Sequence, residues 1–300
     1  MNAPTTASAQ PRNGVRAPTA LSFTRGVRRA PSITVVYGRA GVGKTTLAAS
    51  APAPVFIDLE GGSLRLDVAR VDGVATWSEV FAAVRALIAN DYGFKTLVFD
   101  TLDRLEWLLW QHLFHEVGNG KGKAVTSIEQ VGGGFGKGYQ CAVEEFRRLI
   151  ALLEELCRTR GMGVIFLAHG KIASAINSDA AGADFERWEL KVDKRLAGLL
   201  LEASDNVFYA HRPAVVMQGG ERERVRADLD STRLLGVEET GGYVAKNRDG
   251  LTGTIPMNWR ALVAAVKAAQ EKRAAAKTAP QTTTDDTIPA EPSATTQTQE

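Results

Sequence analysis

Short apolar runs alternate with longer amphipathic stretches through the middle of the chain. The runs are rich in β-branched and aromatic residues, and they predict strands at residues 33–37, 54–58, 96–100, 163–168 and 206–210. Apolar residues at helical spacing predict helices at residues 78–90, 102–115 and 142–160. Because strands alternate with helices, the sequence predicts an α/β fold with a mainly parallel central sheet and helices on both faces.

The pattern changes after residue 210. Three short strands separated by turns are predicted at residues 215–217, 224–228 and 243–246. Asn258 is a suitable N-cap for a last helix that reaches about Lys272. Consecutive short strands favour antiparallel pairing, so we expect an antiparallel extension at one edge of the parallel sheet.

The two ends of the chain differ from this core in composition. Residues 1–30 contain five arginines and no acidic residue, whereas residues 278–300 contain four acidic residues among Thr, Pro, Ala and Gln. Such segments bury too little apolar surface to offset chain entropy. We therefore expect a disordered basic arm at residues 1–30, a folded core at 31–272 and a disordered, mildly acidic tail at 273–300.

The overall composition excludes several classes of protein. The 36 Lys and Arg residues nearly balance the 34 Asp and Glu residues, so the formal charge of +2 excludes a polycation that binds nucleic acid through bulk charge. Cys141 and Cys157 have no C-x-x-C spacing, and no apolar run approaches the roughly 20 residues of a membrane span. We expect a cytoplasmic protein that does not associate with membranes.

The strongest motif follows the first predicted strand. Residues 38–45 read Gly-Arg-Ala-Gly-Val-Gly-Lys-Thr, a full match to G-x-x-x-x-G-K-[ST]. In such a loop the backbone amides surround the phosphates, Lys44 reaches the β and γ phosphates, and the Thr45 hydroxyl ligates Mg²⁺. The motif therefore predicts ATP and Mg²⁺, bound by Gly38, Arg39, Ala40, Gly41, Val42, Gly43, Lys44, Thr45 and Thr46.

Two acidic residues follow neighbouring predicted strands. Asp100 ends an apolar strand, where a second magnesium ligand is needed; alternatively, it or Thr101 caps the helix that begins at Leu102. Glu60 follows the second strand beside two glycines and is our candidate for the base that deprotonates the attacking water. The alternative is a solvated loop glutamate.

The order of these motifs resembles the RecA-type recombinase ATPase core. Within that superfamily the chain is similar to phage single-strand annealing proteins, often labelled AAA-domain nucleotide-binding proteins. The resemblance covers about residues 31–260 and rests on the phosphate loop, Phe-Ile-Asp-x-Glu at 56–60, Asp100 and the polar end of the fourth strand. It places His169 where recombinases have a glutamine that senses the γ-phosphate; alternatively, His169 packs at a strand end.

The same resemblance concerns a second basic segment. Lys246 and Arg248 match the two basic residues that recombinases extend across a subunit interface to the neighbour's ATP. It therefore implies a homo-oligomer, either a filament or a ring, with ATP between subunits. A solvated basic edge strand is the alternative.

A glycine-rich segment at residues 131–140 is the first candidate for DNA contact. Phe135 and Tyr139 can stack on bases, and Lys137 can meet a phosphate; a flexible connector is the alternative. A second candidate, at residues 170–195, mixes basic and acidic side chains.

The implied function is an ATP-dependent, single-stranded-DNA-binding recombination protein that promotes annealing or strand exchange. We expect DNA-stimulated ATP hydrolysis, a phage-encoded protein acting in the bacterial host cytoplasm, and a single-strand-binding protein as a further partner. One alternative is a motor or remodelling ATPase of AAA+ type, which the short chain after residue 272 disfavours because it leaves little room for a helical lid. The other is an ATP-gated protein that recruits a partner without binding DNA.

Overall fold

The computed structural model describes residues 31–176, 184–217, 226–229 and 232–278, together with Phe23 and Arg25. Most of the predicted basic arm, the predicted tail beyond residue 278 and part of the predicted strand 224–228 lie outside these residues. In chain order the strands are β1 (Ile33–Gly38), β2 (Pro54–Asp58), β3 (Ala69–Arg70), β4 (Thr96–Asp100), β5 (Gly163–Ile176), β6 (Asp184–Leu190), β7 (Asn206–His211), β8 (Ala214–Met217), β9 (Arg226–Leu229), β10 (Leu234–Gly236), β11 (Lys246–Asn247) and β12 (Thr254–Pro256).

Helices connect most of these strands. They are α1 (Lys44–Ala49), α2 (Trp77–Ala89), α3 (Leu102–Glu116), α4 (Lys137–Arg160), α5 (Lys194–Ala203) and α6 (Trp259–Thr278), with a short 3-10 helix at Ile128–Gly133. In the described part of the chain, no helix combines the length and the apolar character that crossing a membrane requires.

The central strands are parallel, as the sequence predicts. Their spatial order is β7-β1-β5-β4-β2-β3, and every neighbouring pair in this series is parallel. All five predicted core strands are present, and four of them match the predicted bounds to within one residue. Such strands form from nearly continuous runs of Val, Ile and Phe because both of their faces are buried.

Antiparallel strands extend the sheet at its β7 edge, as predicted, but they are not all the predicted strands, because β8 and β9 pair with each other in a separate two-stranded sheet. At the β7 edge β10 and β11 both pair antiparallel with β7, and β12 pairs antiparallel with β10. A second antiparallel element was not predicted: β5 continues past residue 168 to Ile176, and its second half pairs with β6 as a hairpin. We call this element the β5–β6 hairpin.

Helices cover both faces of the sheet. Alternate residues of one strand point to opposite faces, so Val35 packs with α2, α3, α4 and α5, while Val36 packs with α1 and α6.

Local signals fix the helix ends. Gly161, at φ 64°, ends α4 as predicted, and the Asn258 Oδ1 accepts a hydrogen bond from the Ala261 N–H (2.8 Å) at the start of α6. Helix α6 continues beyond the predicted end at Lys272, to Thr278.

Part of the glycine-rich segment at residues 131–140 belongs to α4, so the predicted start of this helix at residue 142 is too late. Helix α4 begins at Lys137, so Lys137 and Tyr139 belong to its first turn. Gly136 caps this helix in a left-handed conformation (φ 77°). Gly138 is buried so tightly that a Cβ atom there would lie 2.0 Å from the Ile128 carbonyl oxygen. Close packing, and not flexibility, therefore explains this glycine.

Candidate nucleotide-binding site

The predicted site residues lie together at the carboxyl ends of the parallel strands. We call this edge of the sheet, which the strand ends form, the nucleotide edge. In the strand register Gly38 is opposite His169, and Asp58 is opposite Asp100. The phosphate loop follows β1 at this same edge. Ligands of open α/β sheets bind at this position, so the arrangement is a candidate nucleotide site.

Lys44 is held inside the phosphate loop. It is only 7% exposed, and its Nζ donates hydrogen bonds to the carbonyl oxygens of Gly38 (3.1 Å) and Arg39 (3.0 Å). Burial lowers the pKa of Lys44, whereas the negative charges of Asp100, Asp103 and Glu60 act in the opposite direction. The lysine therefore faces the acidic side of the site that holds the predicted metal ligands.

Thr45 and Asp100 are in direct contact, as the two predicted metal ligands should be. The Thr45 hydroxyl donates to the Asp100 Oδ2 at 2.8 Å. Burial raises the pKa of the Asp100 carboxyl, and the hydrogen bond from Thr45 opposes this rise. Thr101 occupies the N-cap position of α3 and its side chain makes no capping hydrogen bond. The carboxylate of Asp100 thus faces the phosphate loop and does not cap the helix.

These two residues fit a magnesium ion. A Cβ atom on Gly62 would lie 3.1 Å from the Asp100 Oδ2 and 3.6 Å from the Thr45 Oγ1, so glycine keeps this side of the pair open. A hydroxyl and a carboxylate are oxygen ligands of the type that Mg²⁺ takes together with water and substrate phosphates. Among the described residues no cluster of three or more His, Cys, Asp or Glu could hold a metal alone. When bound, Mg²⁺ would neutralise charge on the phosphates.

Asp58 shapes the loop that carries Glu60. Its Oδ1 accepts hydrogen bonds from the backbone N–H groups of Glu60, Gly61 and Gly62. Its Oδ2 accepts hydrogen bonds from the Ser63 N–H and hydroxyl. Burial raises the pKa of Asp58, but the hydrogen bonds outweigh it and the net shift is downward. Asp58 is thus a structural acceptor, while the Glu60 side chain is exposed at the site. The role of Glu60 as the base stays a prediction.

His169 is tied to α3 at the end of the parallel part of β5. Its backbone N–H donates to the Asp103 Oδ2 (2.8 Å), and its Nδ1 lies 3.4 Å from the same oxygen. Burial raises the pKa of Asp103, but its hydrogen bonds with His169 outweigh burial and lower it. Sequence reasoning missed Asp103, although it follows Asp100 by three residues. Sensing of the γ-phosphate by His169 stays a prediction.

Family comparison agrees with this geometry. A family model described as "AAA domain" matches residues 30–249, which is most of the chain. The chain belongs to the AAA domain family. Its phosphate loop, strand order and acid-ended strands form a RecA-type P-loop ATPase core, which confirms the resemblance. None of the curated proteins compared with the chain matches it. Among solved structures, the crystal structure of the RadB recombinase aligns with 77% of this chain and 90% of its own, at 14% identity and a TM-score of 0.40.

Lys246 and Arg248 lie away from the phosphate loop of their own AAA domain. Strand β11 pairs Lys246 with Val207, near the amino end of β7, whereas the phosphate loop lies at the carboxyl edge. The Lys246 Nζ donates to the Leu201 carbonyl oxygen at 2.5 Å, and the Arg248 Nη1 pairs with the Asp205 Oδ1 at 2.9 Å. Burial lowers the pKa of Lys246. Their contact with a neighbouring subunit's ATP stays a prediction.

An aromatic cluster connects the phosphate loop to the β5–β6 hairpin of the AAA domain. The Arg39 guanidinium lies 5.4 Å from the ring centroid of Trp188, on β6, and Trp188 stacks on Tyr209 at 5.8 Å. The Tyr37 ring lies 5.3 Å from Tyr209, and its hydroxyl donates to the Val244 carbonyl oxygen at 2.6 Å. Strand patterns cannot reveal this cluster because its members are far apart in sequence.

The predicted DNA-contacting residues lie at the start of α4. Phe135 is fully exposed at φ 56°, and Lys137 is also exposed. Tyr139 is half-buried, and the Arg195 guanidinium lies 4.4 Å from its ring centroid, so Phe135 is the freer stacking surface. Because α4 ends just before β5 begins, its first turn points toward the edge of the sheet where the phosphate loop lies.

Glu106 is a buried acid beside the site. It lies one turn after Asp103 on α3, is 7% exposed, and accepts a hydrogen bond from the Asp193 N–H at 2.7 Å. Burial is the main cause that raises its pKa to about 7, and the nearby charges of Asp193 and Asp103 add to the rise, while Lys171 lowers it. The folded AAA domain therefore binds this proton more tightly than the unfolded chain does.

This raised pKa predicts a pH-dependent stability. The contribution of Glu106 to the free energy of unfolding is fully present below its unfolded pKa of about 4.5. It is lost as the pH rises through about 7. Glu106→Gln keeps an oxygen acceptor but carries no charge. In urea unfolding we expect native and variant chains to be similar at pH 5, and the variant to be more stable at pH 8 by up to about 3 kcal/mol. An equal difference at both pH values would contradict the assignment.

Proposed function

We propose that this AAA domain protein is an ATP-dependent, single-stranded-DNA-binding recombination protein that promotes annealing or strand exchange. The observation that carries the proposal is the fully exposed Phe135, set in a left-handed turn beside the exposed Lys137. An aromatic face next to a cation is the combination that binds single strands, because bases stack on the ring and phosphates meet the charge. Phe135 lies just before α4 and Lys137 is the first residue of this helix, whose first turn points to the nucleotide edge.

ATP hydrolysis in this proposal uses the residues of the phosphate loop and its neighbours. The loop amides and Lys44 hold the phosphates, and Thr45 with Asp100 holds Mg²⁺. Glu60, exposed at the same edge, accepts a proton from the attacking water as that water bonds to the γ-phosphorus, and the bond from this phosphorus to the bridging oxygen breaks to release ADP. His169 responds to the γ-phosphate and is linked through Asp103 to α3.

Two contacts support communication between nucleotide and DNA. Arg39 of the phosphate loop lies over Trp188, at the base of the β5–β6 hairpin. Arg195, which follows this hairpin, lies over Tyr139 in the first turn of α4. A shift of the phosphate loop on nucleotide binding would therefore reach the region of Phe135 through the hairpin.

Assembly and location complete the proposal. Lys246 and Arg248 lie on a part of the chain that cannot serve its own phosphate loop, which supports a homo-oligomer, filament or ring, with ATP between subunits. Cations supplied across such an interface stabilise charge during phosphoryl transfer. We further propose a phage-encoded protein that works in the bacterial host cytoplasm with a single-strand-binding protein.

The DNA-binding part of the proposal is tested with Phe135→Ala. We expect the affinity for a fluorescently labelled single-stranded oligonucleotide, measured by anisotropy, to fall about tenfold, because loss of one base stack costs roughly 1–3 kcal/mol. Affinity for ATP should not change.

Tyr92→Ala is the matched control. Tyr92 is 57% exposed, and it lies between α2 and β4, at the opposite edge of the sheet from the phosphate loop. This variant should bind the oligonucleotide as the native chain does. Unchanged DNA affinity in Phe135→Ala, or equal losses in both variants, would count against DNA binding at Phe135 and favour an ATP-gated protein that recruits a partner without DNA.

A further inference from the structure

Arg233 comes to the phosphate loop from the antiparallel edge extension. It immediately precedes β10, whose first residue, Leu234, pairs with His211 at the carboxyl end of β7. Its backbone is fixed, because the Arg233 carbonyl oxygen accepts a hydrogen bond from the Met257 N–H at 2.8 Å. Strand β7 lies beside β1, so this register places Arg233 at the nucleotide edge.

The guanidinium of Arg233 lies against Gly43 of the phosphate loop. Its Nη1 is 2.5 Å, and its Cζ 3.3 Å, from the position that a Cβ atom on Gly43 would occupy. The aliphatic Cδ is 3.5 Å from the same position, so the end of the side chain follows the loop backbone. A side chain at residue 43 would displace Arg233. In addition, φ at Gly43 is 105°, a value that residues other than glycine rarely adopt.

Arg233 adds a third cation to the loop region, beside Lys44 and Arg39. Lys44 donates to two loop carbonyls, and Arg39 lies over Trp188. The Arg233 side chain is exposed, and it forms no hydrogen bond or ion pair with the residues that the structure describes. A guanidinium that no acid among the described residues compensates, set against a phosphate-binding loop, is complementary to a polyanion.

We propose that Arg233 binds a phosphate group of the nucleotide from within the same chain. The inference rests on the proposed nucleotide binding at the phosphate loop and adds to it a third basic residue that no motif contains. A guanidinium presents several N–H donors in one plane and matches two phosphate oxygens at once, which a lysine ammonium does not. The antiparallel extension thereby contributes Arg233, which immediately precedes β10, to the nucleotide site.

The test is a set of binding titrations on the full chain with a fluorescent ATP analogue. Arg233→Ala should raise the Kd about tenfold or more, since hydrogen bonds to charged groups contribute roughly 1.5–3 kcal/mol. Arg233→Lys should show a smaller loss because it keeps the charge but not the planar donor pair. Arg148→Ala removes an exposed arginine from α4, on the other face of the sheet, and should bind as the native chain does.

A competition series shows which part of the nucleotide Arg233 contacts. Inorganic tripolyphosphate, which lacks base and ribose, is used to displace the fluorescent analogue. Arg233→Ala should weaken the binding of tripolyphosphate by the same factor as the binding of ATP. A loss for ATP without a loss for tripolyphosphate would overturn the phosphate contact, and native affinity of Arg233→Ala for both would overturn the role of Arg233 altogether.

The titrations also distinguish a wrong role for Arg233 from a wrong position of the nucleotide site. If the native chain does not bind the analogue, or if Lys44→Ala binds it as tightly as the native chain does, the phosphate loop is not the binding site and the inference falls with it. Thermal melting accompanies each titration. If Arg233→Ala melts at a lower temperature, its loss of affinity is not used, and Arg233→Lys is compared with the native chain instead. If Arg233→Lys melts at the native temperature and binds the analogue with the native Kd, the bidentate contact is overturned.

Discussion

Replacing Lys44 with alanine should abolish measurable ATP binding and reduce ATP hydrolysis by about 100-fold or more. The Lys44 ammonium is buried inside the phosphate loop and is held by the Gly38 and Arg39 carbonyl oxygens. A lysine in this position is expected to donate to the β and γ phosphates, and loss of one such donor costs roughly 10²–10³ in rate. The measurements are titration with a fluorescent ATP analogue and phosphate release.

Lys95→Ala is the control for this variant. Lys95 is exposed at the start of β4, at the opposite edge of the sheet from the phosphate loop. It removes the same charge without touching the nucleotide site, so binding and hydrolysis should stay native. Hydrolysis at the native rate by Lys44→Ala would exclude the phosphate loop as the ATPase site.

Glu60→Gln should separate binding from hydrolysis. The Glu60 side chain is exposed, and the loop around it is held by Asp58, so the substitution leaves the fold and the phosphate loop intact. Glutamine cannot accept the proton of the attacking water, and loss of a general base costs roughly 10²–10⁴ in rate. We expect ATP affinity close to native and hydrolysis reduced by about this factor.

The matched control is Glu116→Gln. Glu116 is an exposed acid at the last residue of α3, far from the edge where this helix begins. Its variant should hydrolyse ATP at the native rate. If Glu60→Gln hydrolyses ATP normally, another group activates the water. If it loses ATP affinity instead, Glu60 contributes to binding and not to catalysis.

Local signals made much of the parallel core and nucleotide site predictable. Strands with two buried faces are continuous runs of apolar residues, so their positions can be read directly from the sequence. The phosphate loop also has a fixed spacing, and the carboxyl ends of neighbouring parallel strands meet at one edge. The contact between Thr45 and Asp100 follows from these two facts and is present in the structure.

The unpredicted parts depend on contacts between distant segments. The second half of β5 lies beyond the buried core, so no apolar run marks it, and it is stabilised by pairing with β6. Arg233 reaches Gly43 only because β10 pairs with β7. The start of α4 was misjudged because Gly136 and Gly138 resemble loop residues, whereas one caps the helix and the other permits close packing.

We propose that ATP hydrolysis by this chain responds to single-stranded DNA. It is tested by the steady-state ATP hydrolysis rate of the native chain without DNA, with a single-stranded oligonucleotide, and with the same sequence as a duplex. We expect the single strand to increase the rate more than the duplex does, added salt to remove the increase, and Lys44→Ala to show none. No increase, together with no salt-sensitive DNA binding, would contradict it.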